Sequence, residues 1–587
     1  MGIPSYFSYI VRNHANIINK YNPVELPVDN LYMDCNSIIY DCIHNNIHEL
    51  ELLCGQSQEI ELYEKIIQLV IAKIDQYIAF VNPSKWVFIA FDGVAPVAKM
   101  NQQRQRRYRT TYEAEQHKTK KTQGISTLFI TPGTVFMNTL NSAIKEKYCP
   151  TTANSDNNNV QPKNTKRKSK KKETEKIKKE TETEKKETEN KTGLNIRISG
   201  SDEPGEGEHK LFQWMRDQSE YHRTTRTVIY GLDADLIMLC VNHLTICPNI
   251  FLYRETPEFI RSINSSMDPG GNYLLNIHSF AENIYIELFP ERKLGSETSW
   301  IGFARDYIFI CFFLGNDFMP HFPALNIRTQ GIHRILDAYK KTILTNNNNF
   351  FVIYENNETK NIKIQWKIVR QFVNLLAENE DEFMRIEMTQ RDKMEKFSVR
   401  PGEDPEETKP MRERMIEKYI QAPNLGWEWR YYKTLFDIDS RDPQRIAQIC
   451  KNYVAGLEWN LAYYTQGCYD WRWSYHYHYP PLLKDLVQYV PFFELEKDNT
   501  TFSENYNPVS AIVQLCYVLP GNHLINLIPS NYQEKIKTLL TLKEDWYPSQ
   551  EKNPEYETKI CWAYCKYLWE SHLLLPEITI EELEKLL

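Results

Sequence analysis

The chain has 587 residues, a net charge of −7 at neutral pH, and a composition that is 42% hydrophobic and 13% aromatic. This length is too great for one compact core, so we expect two domains or one domain with a large elaboration. The acidic balance excludes a protein that binds nucleic acid by general basicity alone, and any such binding must be local.

The sequence also lacks the marks of secreted and membrane-spanning proteins. Its 12 cysteines include no CxxC pair and no spacing typical of a disulfide framework, which predicts free thiols in a reducing compartment. No apolar segment opens the chain, and the longest apolar run, residues 307–315, is far too short to cross a bilayer. We therefore expect a soluble intracellular protein that does not bind membranes.

Short apolar runs alternate with amphipathic stretches from Leu31 to Arg254. This alternation predicts an α/β fold with a twisted, largely parallel central sheet flanked by helices. The stretch 63–81 has apolar residues at helical spacing and is predicted to be a helix. The runs predicted to be strands are 31–33, 86–91, 227–232 and 250–253.

Two segments interrupt this pattern. Residues 151–192 are rich in Lys, Glu and Asn, and their lack of large apolar side chains predicts a disordered surface insertion. Residues 395–414 are predicted to be a linker. We accordingly expect a first domain at 1–340, a connecting segment at 341–414, and a second region at 415–587.

Acidic residues stand at the carboxyl ends of the predicted strands. The acids at three of these ends are Asp34, Asp92, Asp233 and Asp235. Because the carboxyl ends of parallel strands share one edge of a sheet, these side chains are expected to lie together. A fourth apolar run, 307–315, brings in Asp317 in the same way.

The stretch "SDEPGEGEHK" at 201–210 adds Glu206 and Glu208 on a glycine-rich backbone. Seven carboxylates in one place would repel one another, since like charges raise each other's pKa. Two Mg²⁺ or Mn²⁺ ions prefer oxygen ligands and can act together at phosphorus. For any single Asp, capping of the next helix is an equally open reading. A helix that starts at Pro204 would likewise favour the two glutamates at its positive end.

A basic stretch, "KMNQQRQRRYRT", follows Asp92. If a helix starts beyond Pro96, four of its residues share one face and suit a phosphate group, and they are Lys99, Gln103, Arg106 and Arg107. A solvated basic helix is an equally open reading of these residues. We expect the neighbouring basic residues to be of that solvated kind, and they are Arg104, Arg109 and Lys118.

Several long stretches match one known family in order. In the first domain they are "MGIPSYFSYI", "NLYMDCNSIIYDCIH", "IAFDGVAPVAKMNQQRQRRYRT", "ITPGTVFM", "PGEGEHK", "VIYGLDADLIML", "FLYRE" and "FLGNDFMPHFPAL". In the second region they include "GLEWNLAYYTQGCYDWRWSYHYHYPP", "YVLPGNHLINLIPSNY" and "LWESHLLLPEITIEELEKLL". Ordered matches of this length are far more specific than one short motif. The chain therefore resembles the 5′→3′ exoribonuclease family.

The resemblance implies a nuclease core like that of flap endonucleases, with a mostly helical second region that closes over the active site. It implies processive hydrolysis of single-stranded RNA to nucleoside 5′-monophosphates, as in mRNA decay, with two Mg²⁺ ions that Mn²⁺ can replace. The metal-binding catalytic residues carried over by position are Asp34, Asp92, Glu206, Glu208, Asp233, Asp235 and Asp317. The family's pocket for a 5′-monophosphate, which excludes a cap or triphosphate, corresponds to Lys99, Gln103, Arg106 and Arg107.

Family members also stack the first bases of the RNA between a histidine and a tryptophan. At the histidine position this sequence has Tyr40, which offers a flat face but no titrating imidazole. The tryptophan is Trp471 or Trp473, and the sequence leaves this choice open.

We expect a short form of the family that lacks the large C-terminal domains of the cytoplasmic relatives. Its compactness and its Asn- and Lys-rich insertion are typical of a large DNA virus or an AT-rich microbe. We expect a cytoplasmic monomer, with a nuclear location left open. A flap or DNA 5′ nuclease on the same core and a catalytically silent RNA-end-binding protein are the alternative functions.

Overall fold

The computed structural model describes most of the chain. The described residues are 3, 5–53, 59–116, 125–149, 193–291, 297–347, 349–354, 362–397, 404–438, 442–492, 507–548 and 558–587. The predicted insertion 151–192 and Lys118 lie outside the described residues, so the predictions made for them are not tested.

Seven strands of the described residues form the central sheet, in the order β1-β7-β6-β5-β2-β3-β4. The five strands from β6 to β4 in this order run parallel, whereas β7 and β1 are antiparallel additions at one edge. The strands are β1 Ile18–Lys20, β2 Asn30–Asp34, β3 Trp86–Ala90, β4 Asn195–Ser199, β5 Thr227–Tyr230, β6 Ile250–Glu255 and β7 Asn272–Asn276. The predicted α/β fold with a largely parallel sheet is confirmed.

Four strands were predicted and three were missed. The predicted runs became β2, β3, β5 and β6, which are almost wholly buried apolar segments. Strand β4 carries Arg197, follows the insertion directly, and is only partly buried over most of its length. A half-exposed edge strand lacks the continuous apolar run by which central parallel strands are recognised.

Helices cover both faces of the sheet. Those of the first 345 residues are α1 Tyr6–Asn13, α2 Asn36–Asn45, α3 Ile47–Glu51, α4 Glu59–Val81, α5 Val97–Gln116, α6 Val135–Tyr148, α7 Gly207–Asp217, α8 Ser219–His222, α9 Asp235–Asn242, α10 Ile277–Leu288, α11 Glu297–Cys311 and α12 Gly331–Thr345. The helix predicted at 63–81 is therefore confirmed as part of α4. Helix α5 begins directly after Pro96, which is where the predicted phosphate-binding helix had to start.

The apolar run 307–315 corrects one prediction. It is not a strand, because helix α11 continues to Cys311 and a short 3-10 turn, Phe312–Leu314, follows. Its residues are buried from Tyr307 onward, so the helix has no polar face there to reveal its period. Asp317 nevertheless follows this run, as described below.

The second region is mostly helical, as expected. Its helices are α15 Met415–Ile420, α16 Trp427–Phe436, α17 Pro443–Thr465, α18 Leu483–Tyr489, α19 Ala511–Val518, α20 Gly521–Leu527, α21 Gln533–Leu542 and α22 Ile580–Leu586, and α13 Trp366–Glu378 and α14 Glu380–Glu395 precede them. Two small hairpins pair β8 Val352–Tyr354 with β9 Ile362–Ile364 and β10 Ile560–Cys561 with β11 His572–Leu573. One continuous apolar core joins this region to the sheet's helices.

The segment predicted to be a connection carries ordered structure. Helices α13 and α14 lie within it, and Arg414 at its end is fully buried, with ion pairs to Glu417 at 2.6 Å and Asp392 at 2.8 Å. The domain boundaries themselves stay a prediction. The eleven described cysteines are free thiols, and no helix in the described ranges has the length and apolarity to cross a bilayer.

Candidate active site

The first two acids stand where parallel strands β2 and β3 end. Asp34 closes β2 and is 8% exposed. Asp92 comes two residues after β3, and its carboxylate accepts hydrogen bonds from Asn36 Nδ2 at 2.5 Å and from the backbone N–H of Gly207 at 2.7 Å. Asp92 therefore does not cap the helix that follows it in sequence. It holds the start of helix α7 instead.

The glycine-rich turn before α7 brings two further acids to this edge. Gly205 has φ +106°, a conformation that side chains other than glycine rarely adopt. A Cβ at Gly207 would lie 2.5 Å from Asp34 Oδ1, so any other residue there would force the Asp34 carboxylate to move. The bare backbone is thus what allows Glu206 and Glu208 to reach the acids of β2 and β3.

Glu206 and Glu208 are both buried, at 3% and 6% exposure. Glu206 accepts a hydrogen bond from the Tyr463 hydroxyl at 2.8 Å and pairs with the Lys99 ammonium at 2.5 Å. Burial, together with the nearby Asp235 and Glu206 carboxylates, raises the pKa of Glu208 well above its usual value. A role in stabilising the positive end of helix α7 does not explain why both carboxylates are buried, because exposed carboxylates stabilise a helix end as well.

The remaining acids come from the β5–α9 connection and from the turn after α11. Asp235 is the first residue of α9 and is 3% exposed. Burial and the neighbouring Asp317 raise the pKa of Asp235 to about 7. Asp233, half-buried, lies close enough to add to the raised pKa values of Asp34 and Glu208. The structure therefore brings all seven predicted acids to one edge of the sheet.

Three of these acids carry a buried oxygen with no hydrogen-bond partner among the described residues. The atoms are Asp34 Oδ1, Glu208 Oε2 and Asp235 Oδ1. Buried polar atoms are normally paired, and unpaired carboxylate oxygens are the ligands that Mg²⁺ prefers. In the part of the chain that is described, no three His, Cys, Asp or Glu side chains already form a complete metal site. The donor set fits a hard divalent cation, although its geometry is not that of a loaded site.

Lys99 supplies positive charge inside this cluster. Its ammonium lies 2.5 Å from Glu206 and 2.7 Å from Asp317, and its side chain is 12% exposed. Burial would lower the pKa of Lys99, but Asp317 and Glu206 more than offset this and raise it well above its ordinary value. Burial would raise the pKa of Asp317, but Lys99 holds it well below its usual range. Lys99 is therefore a charged counter-ion of the acids.

The other predicted phosphate ligands extend from Lys99 along helix α5. Gln103 is 4% exposed, and its Oε1 has no partner in the described structure. Arg107 donates to the Ile130 carbonyl at 2.5 Å and to the Tyr40 hydroxyl at 3.3 Å. Arg106 lies within electrostatic reach of Asp317, which helps to raise the pKa of Arg106 against the opposing effect of burial. The basic face and the acids are thus neighbours.

Two arginines expected to be solvated are buried. Arg104 is 6% exposed and lies over the Tyr517 ring, with 5.3 Å between the guanidinium carbon and the ring centroid. Arg109 is 9% exposed and donates to the backbone carbonyls of Trp569, at 2.5 Å, and Ser571. The expectation was wrong because the C-terminal part of the chain covers the face of α5 that points away from the acids. The sequence of the basic stretch gives no sign that the C-terminal part of the chain packs on it.

The structure separates the two tryptophans that the sequence could not. Trp473 is 7% exposed, and its ring stacks on Trp459 with 5.0 Å between centroids, so it belongs to the core. Trp471 is half-buried, and its carbonyl accepts from Val97 N at 2.9 Å, at the start of α5. Tyr40, on helix α2, meets the basic face through its hydroxyl, which accepts from Arg107.

Sequence reasoning missed several residues that shape the site. The side-chain amide of Asn36 donates to the Asp92 carboxylate through Nδ2 and accepts from the Asp92 backbone N–H through Oδ1, and its position two residues after Asp34 was the available signal. Tyr463 binds Glu206 and stacks on His209 with 3.7 Å between ring centroids. Tyr463 comes from helix α17, more than 200 residues away in sequence, and no local pattern distinguishes it from the packed tyrosines around it.

Comparisons with known proteins point to one family. Residues 1–256 match the family model described as "XRN 5'-3' exonuclease N-terminus", and residues 303–419 and 406–563 match "Xrn1 helical domain". The chain is 26% identical to 5'-3' exoribonuclease 1 of Saccharomyces cerevisiae over 94% of its length and 41% of the yeast protein. It is 25% identical to the 5'-3' exoribonuclease 2 homolog of Drosophila melanogaster over 100% of its length and 71% of that protein. Against human 5'-3' exoribonuclease 1 the identity is 26%, over 98% of the chain and 33% of the human protein.

Proposed function

Because the chain belongs to the 5′→3′ exoribonuclease family, we propose that it hydrolyses RNA stepwise from the 5′ end and releases nucleoside 5′-monophosphates. The observation that carries this proposal is the meeting of two groups at one sheet edge. Buried carboxylates with unpaired oxygens lie directly beside the basic face of helix α5. Such a site can bind divalent cations and a phosphate group side by side, which is what phosphodiester hydrolysis needs.

The acids would hold two Mg²⁺ ions, or Mn²⁺ in their place. The ligands proposed are Asp34, Asp92, Glu206, Glu208, Asp233, Asp235 and Asp317. When bound, such ions supply an acidified water and stabilise charge on the oxygens at phosphorus. The chain's own contribution is to hold these carboxylates in a dry site, where Asn36 and Tyr463 orient two of them.

The basic face of α5 would bind the 5′-monophosphate. Arg106 and Arg107 offer forked N–H donors that match phosphate oxygens, Lys99 adds a point charge, and Gln103 adds a neutral donor. The burial of Gln103 and Arg107 supports selection of a single phosphate over a cap or triphosphate, because a larger charged group would need further partners there. Gln103 is buried on this face and could donate to a phosphate oxygen only through its Nε2.

Tyr40 and Trp471 would stack on the first bases of a single strand. Their rings are half-buried, and both residues flank the basic helix, which Tyr40 reaches through Arg107 and Trp471 through Val97. Stacking of a base on an aromatic ring is tolerant of sequence and suits a processive enzyme. Processive action as a monomer in the cytoplasm, in RNA decay, completes the proposal.

One assay separates this function from its alternatives. RNA labelled at the 3′ end and carrying a 5′-monophosphate, a 5′-hydroxyl or a 5′-triphosphate is incubated with Mg²⁺ beside a flapped DNA. We expect only the monophosphorylated RNA to be degraded, and EDTA to stop the reaction. Equal degradation of all three RNA ends contradicts the pocket, and preferential cleavage of the flap supports a DNA nuclease. No cleavage of any substrate supports a silent end-binding protein.

A further inference from the structure

Helix α17 of the second region lies against the segments that carry the acids. The face that it turns toward them contains Trp459, Asn460, Tyr463 and Tyr464, and we call it the inner face of α17. These residues stand at i, i+1, i+4 and i+5, which places them side by side on one side of a helix. Each is at most 2% exposed, so the polar groups on this face need hydrogen-bond partners inside the protein.

Tyr463 contacts the segment that carries the two glutamates. Its hydroxyl donates to Glu206 Oε1 at 2.8 Å. The His209 ring stacks on the Tyr463 ring with 3.7 Å between centroids, and the Trp459 ring stacks on it with 4.8 Å. His209 follows Glu208 directly, so Tyr463 also packs against the first turn of helix α7. Packing by two rings fixes the Tyr463 ring, and its hydroxyl is thereby aimed at Glu206.

Asn460 contacts the turn that carries Asp317. Its Oδ1 accepts from Asn316 Nδ2 at 2.7 Å, and its Nδ2 donates to the Gly456 carbonyl at 2.7 Å. Because the amide is bound at both its oxygen and its nitrogen, its orientation is fixed. Asn316 Oδ1 accepts in turn from the Met319 N–H at 3.0 Å, which closes the turn around Asp317. A side chain of the second region therefore holds the turn that presents this acid.

A third contact reaches the helix that begins with Asp235. Asn242 lies on this helix, α9, and donates through its Nδ2 to the Tyr464 carbonyl at 2.9 Å. Helix α17 therefore bonds to three separate segments, and these carry Glu206, Asp317 and Asp235. Carboxylates that lie close together repel one another, so a rigid neighbour is needed to keep them in place.

We propose that Tyr463 and Asn460 are positioning residues for the metal ligands, with Trp459 as the support of the Tyr463 ring. Groups that bind the ligands of a metal ion from behind orient these ligands and raise the affinity for the metal. This inference rests on the proposed function, because it takes Glu206 and Asp317 as metal ligands. It goes beyond that function by making the metal site a joint product of the sheet edge and the second region.

The alternative is that these residues only pack the core, and Tyr431 provides a matched control. Tyr431 lies on α16 of the same region, is 0% exposed, and donates from its hydroxyl to the Pro480 carbonyl at 2.8 Å. It resembles Tyr463 in burial and in hydrogen-bond length, but its partner is a backbone carbonyl instead of an acid. A packing role predicts the same consequences when either hydroxyl is removed, whereas a positioning role predicts weaker metal binding only for Tyr463.

The test measures Mn²⁺ binding to the full chain by electron paramagnetic resonance, and binding of 5′-monophosphorylated RNA in EDTA by fluorescence anisotropy. We expect Tyr463→Phe and Asn460→Leu each to weaken Mn²⁺ binding about tenfold. Trp459→Phe, which keeps a smaller ring in the stack, should weaken it less. Tyr463→Phe should bind RNA in EDTA as wild type does, since it changes no residue of helix α5. Tyr431→Phe should change neither quantity.

Equal Mn²⁺ affinity in wild type, Tyr463→Phe and Asn460→Leu overturns the proposal. It is also overturned if Tyr431→Phe weakens Mn²⁺ binding as much as Tyr463→Phe does, because the effect would then be a general loosening of the second region. Thermal melts show whether each variant is folded, and Tyr463→Phe keeps the test decisive if Asn460→Leu unfolds. Wild-type protein that binds no Mn²⁺ would refute the metal site of the proposed function together with this inference, whereas equal affinities refute the inference alone.

Discussion

Two regions of the molecule bury an aspartate, and they do so in opposite ways. On helix α11, Asp306 is fully buried and accepts hydrogen bonds from the Tyr339 hydroxyl at 2.7 Å and from the Phe351 and Val352 N–H groups at 2.8 Å each. At the acidic edge, Asp235 is 3% exposed, and its Oδ1 has no partner among the described residues. Burial raises the pKa of each aspartate to about 7. Burial alone therefore does not tell a structural acid from a functional one.

The difference lies in whether the protein pairs the group. Gln105 and Gln103 of helix α5 show the same difference between a paired and an unpaired polar group. Gln105 donates to the Leu573 carbonyl at 2.9 Å and accepts from the Leu573 N–H at 2.8 Å. Gln103, two residues earlier and 4% exposed, leaves its Oε1 unpaired in the described structure. A paired buried group stabilises the fold, whereas an unpaired one is a cost that a ligand must offset.

The largest expected effects come from Asp235→Asn and Asp306→Asn. Asp235→Asn removes a proposed metal ligand and should lower cleavage of monophosphorylated RNA by more than about 100-fold. This loss exceeds the range expected for residues that only support a ligand. Asp235→Asn should keep or raise the Tm, because it removes a buried like-charge repulsion. Asp306→Asn should lower the free energy of unfolding by about 1–3 kcal/mol, because it leaves a buried donor unpaired. Thermal unfolding and initial cleavage rates measure both.

The exposed aspartate Asp268 provides the control for this pair, since Asp268→Asn should change neither quantity. The comparison fails if Asp235→Asn unfolds the protein as readily as Asp306→Asn does. It also fails if Asp235→Asn retains its cleavage rate, because the unpaired oxygen would then have no role in the reaction.

The next effect separates the two tryptophans. Trp473→Ala removes a ring packed on Trp459 in the core and should cost about 3–5 kcal/mol of folding free energy. Trp471→Ala removes a half-buried ring beside the start of α5 and should cost about 1–3 kcal/mol of RNA binding with little loss of stability. Fluorescence anisotropy with RNA in EDTA and thermal melts distinguish the two. If Trp473→Ala weakened RNA binding and Trp471→Ala lowered the stability instead, the stacking role would belong to Trp473.

The meeting of the acids could be predicted from the sequence because each parallel strand is recognisable as a local apolar run. Asp34 and Asp92 follow continuous apolar runs, and parallel strands bring such ends together whatever the rest of the chain does. Asp317 was named on a wrong premise, since the run before it is a helix. Its position depends on how α11 packs, which a uniformly apolar run does not encode.

The cover of α5 could not be predicted from the sequence. The basic stretch is rich in both Gln and Arg, and nothing in it distinguishes Gln103 from Gln105. Their roles differ because Leu573 meets one face of the helix across 468 residues of chain. The same long-range packing buried Arg109 and placed Tyr463 at Glu206. Contacts between distant segments decide which polar groups are paired, and a local pattern does not.

The two glutamines give a matched pair of smaller effect. Gln105→Leu should lower the free energy of unfolding by about 1–3 kcal/mol, because the Leu573 backbone loses both partners. Gln103→Leu should not lower it, yet should weaken binding of 5′-monophosphorylated RNA about tenfold through loss of a donor to a charged group. Chemical denaturation and RNA titration check the two values. Equal destabilisation by both substitutions would remove the distinction between paired and unpaired groups on α5.

The smallest effect is expected at Tyr40, where a ring and a hydroxyl have separate roles. Burial would raise the pKa of Tyr40, but Arg107 and Arg106 more than offset this and lower it, which marks a close cationic setting. Tyr40→Phe keeps the flat face and loses only the contact from Arg107 at 3.3 Å, so KM for monophosphorylated RNA should rise about threefold at most. Tyr40→Ala also loses stacking, and KM should rise about tenfold. If Tyr40→Phe is as impaired as Tyr40→Ala, the hydroxyl that positions Arg107 matters more than the ring, and Tyr40 belongs with the paired groups that support the phosphate pocket.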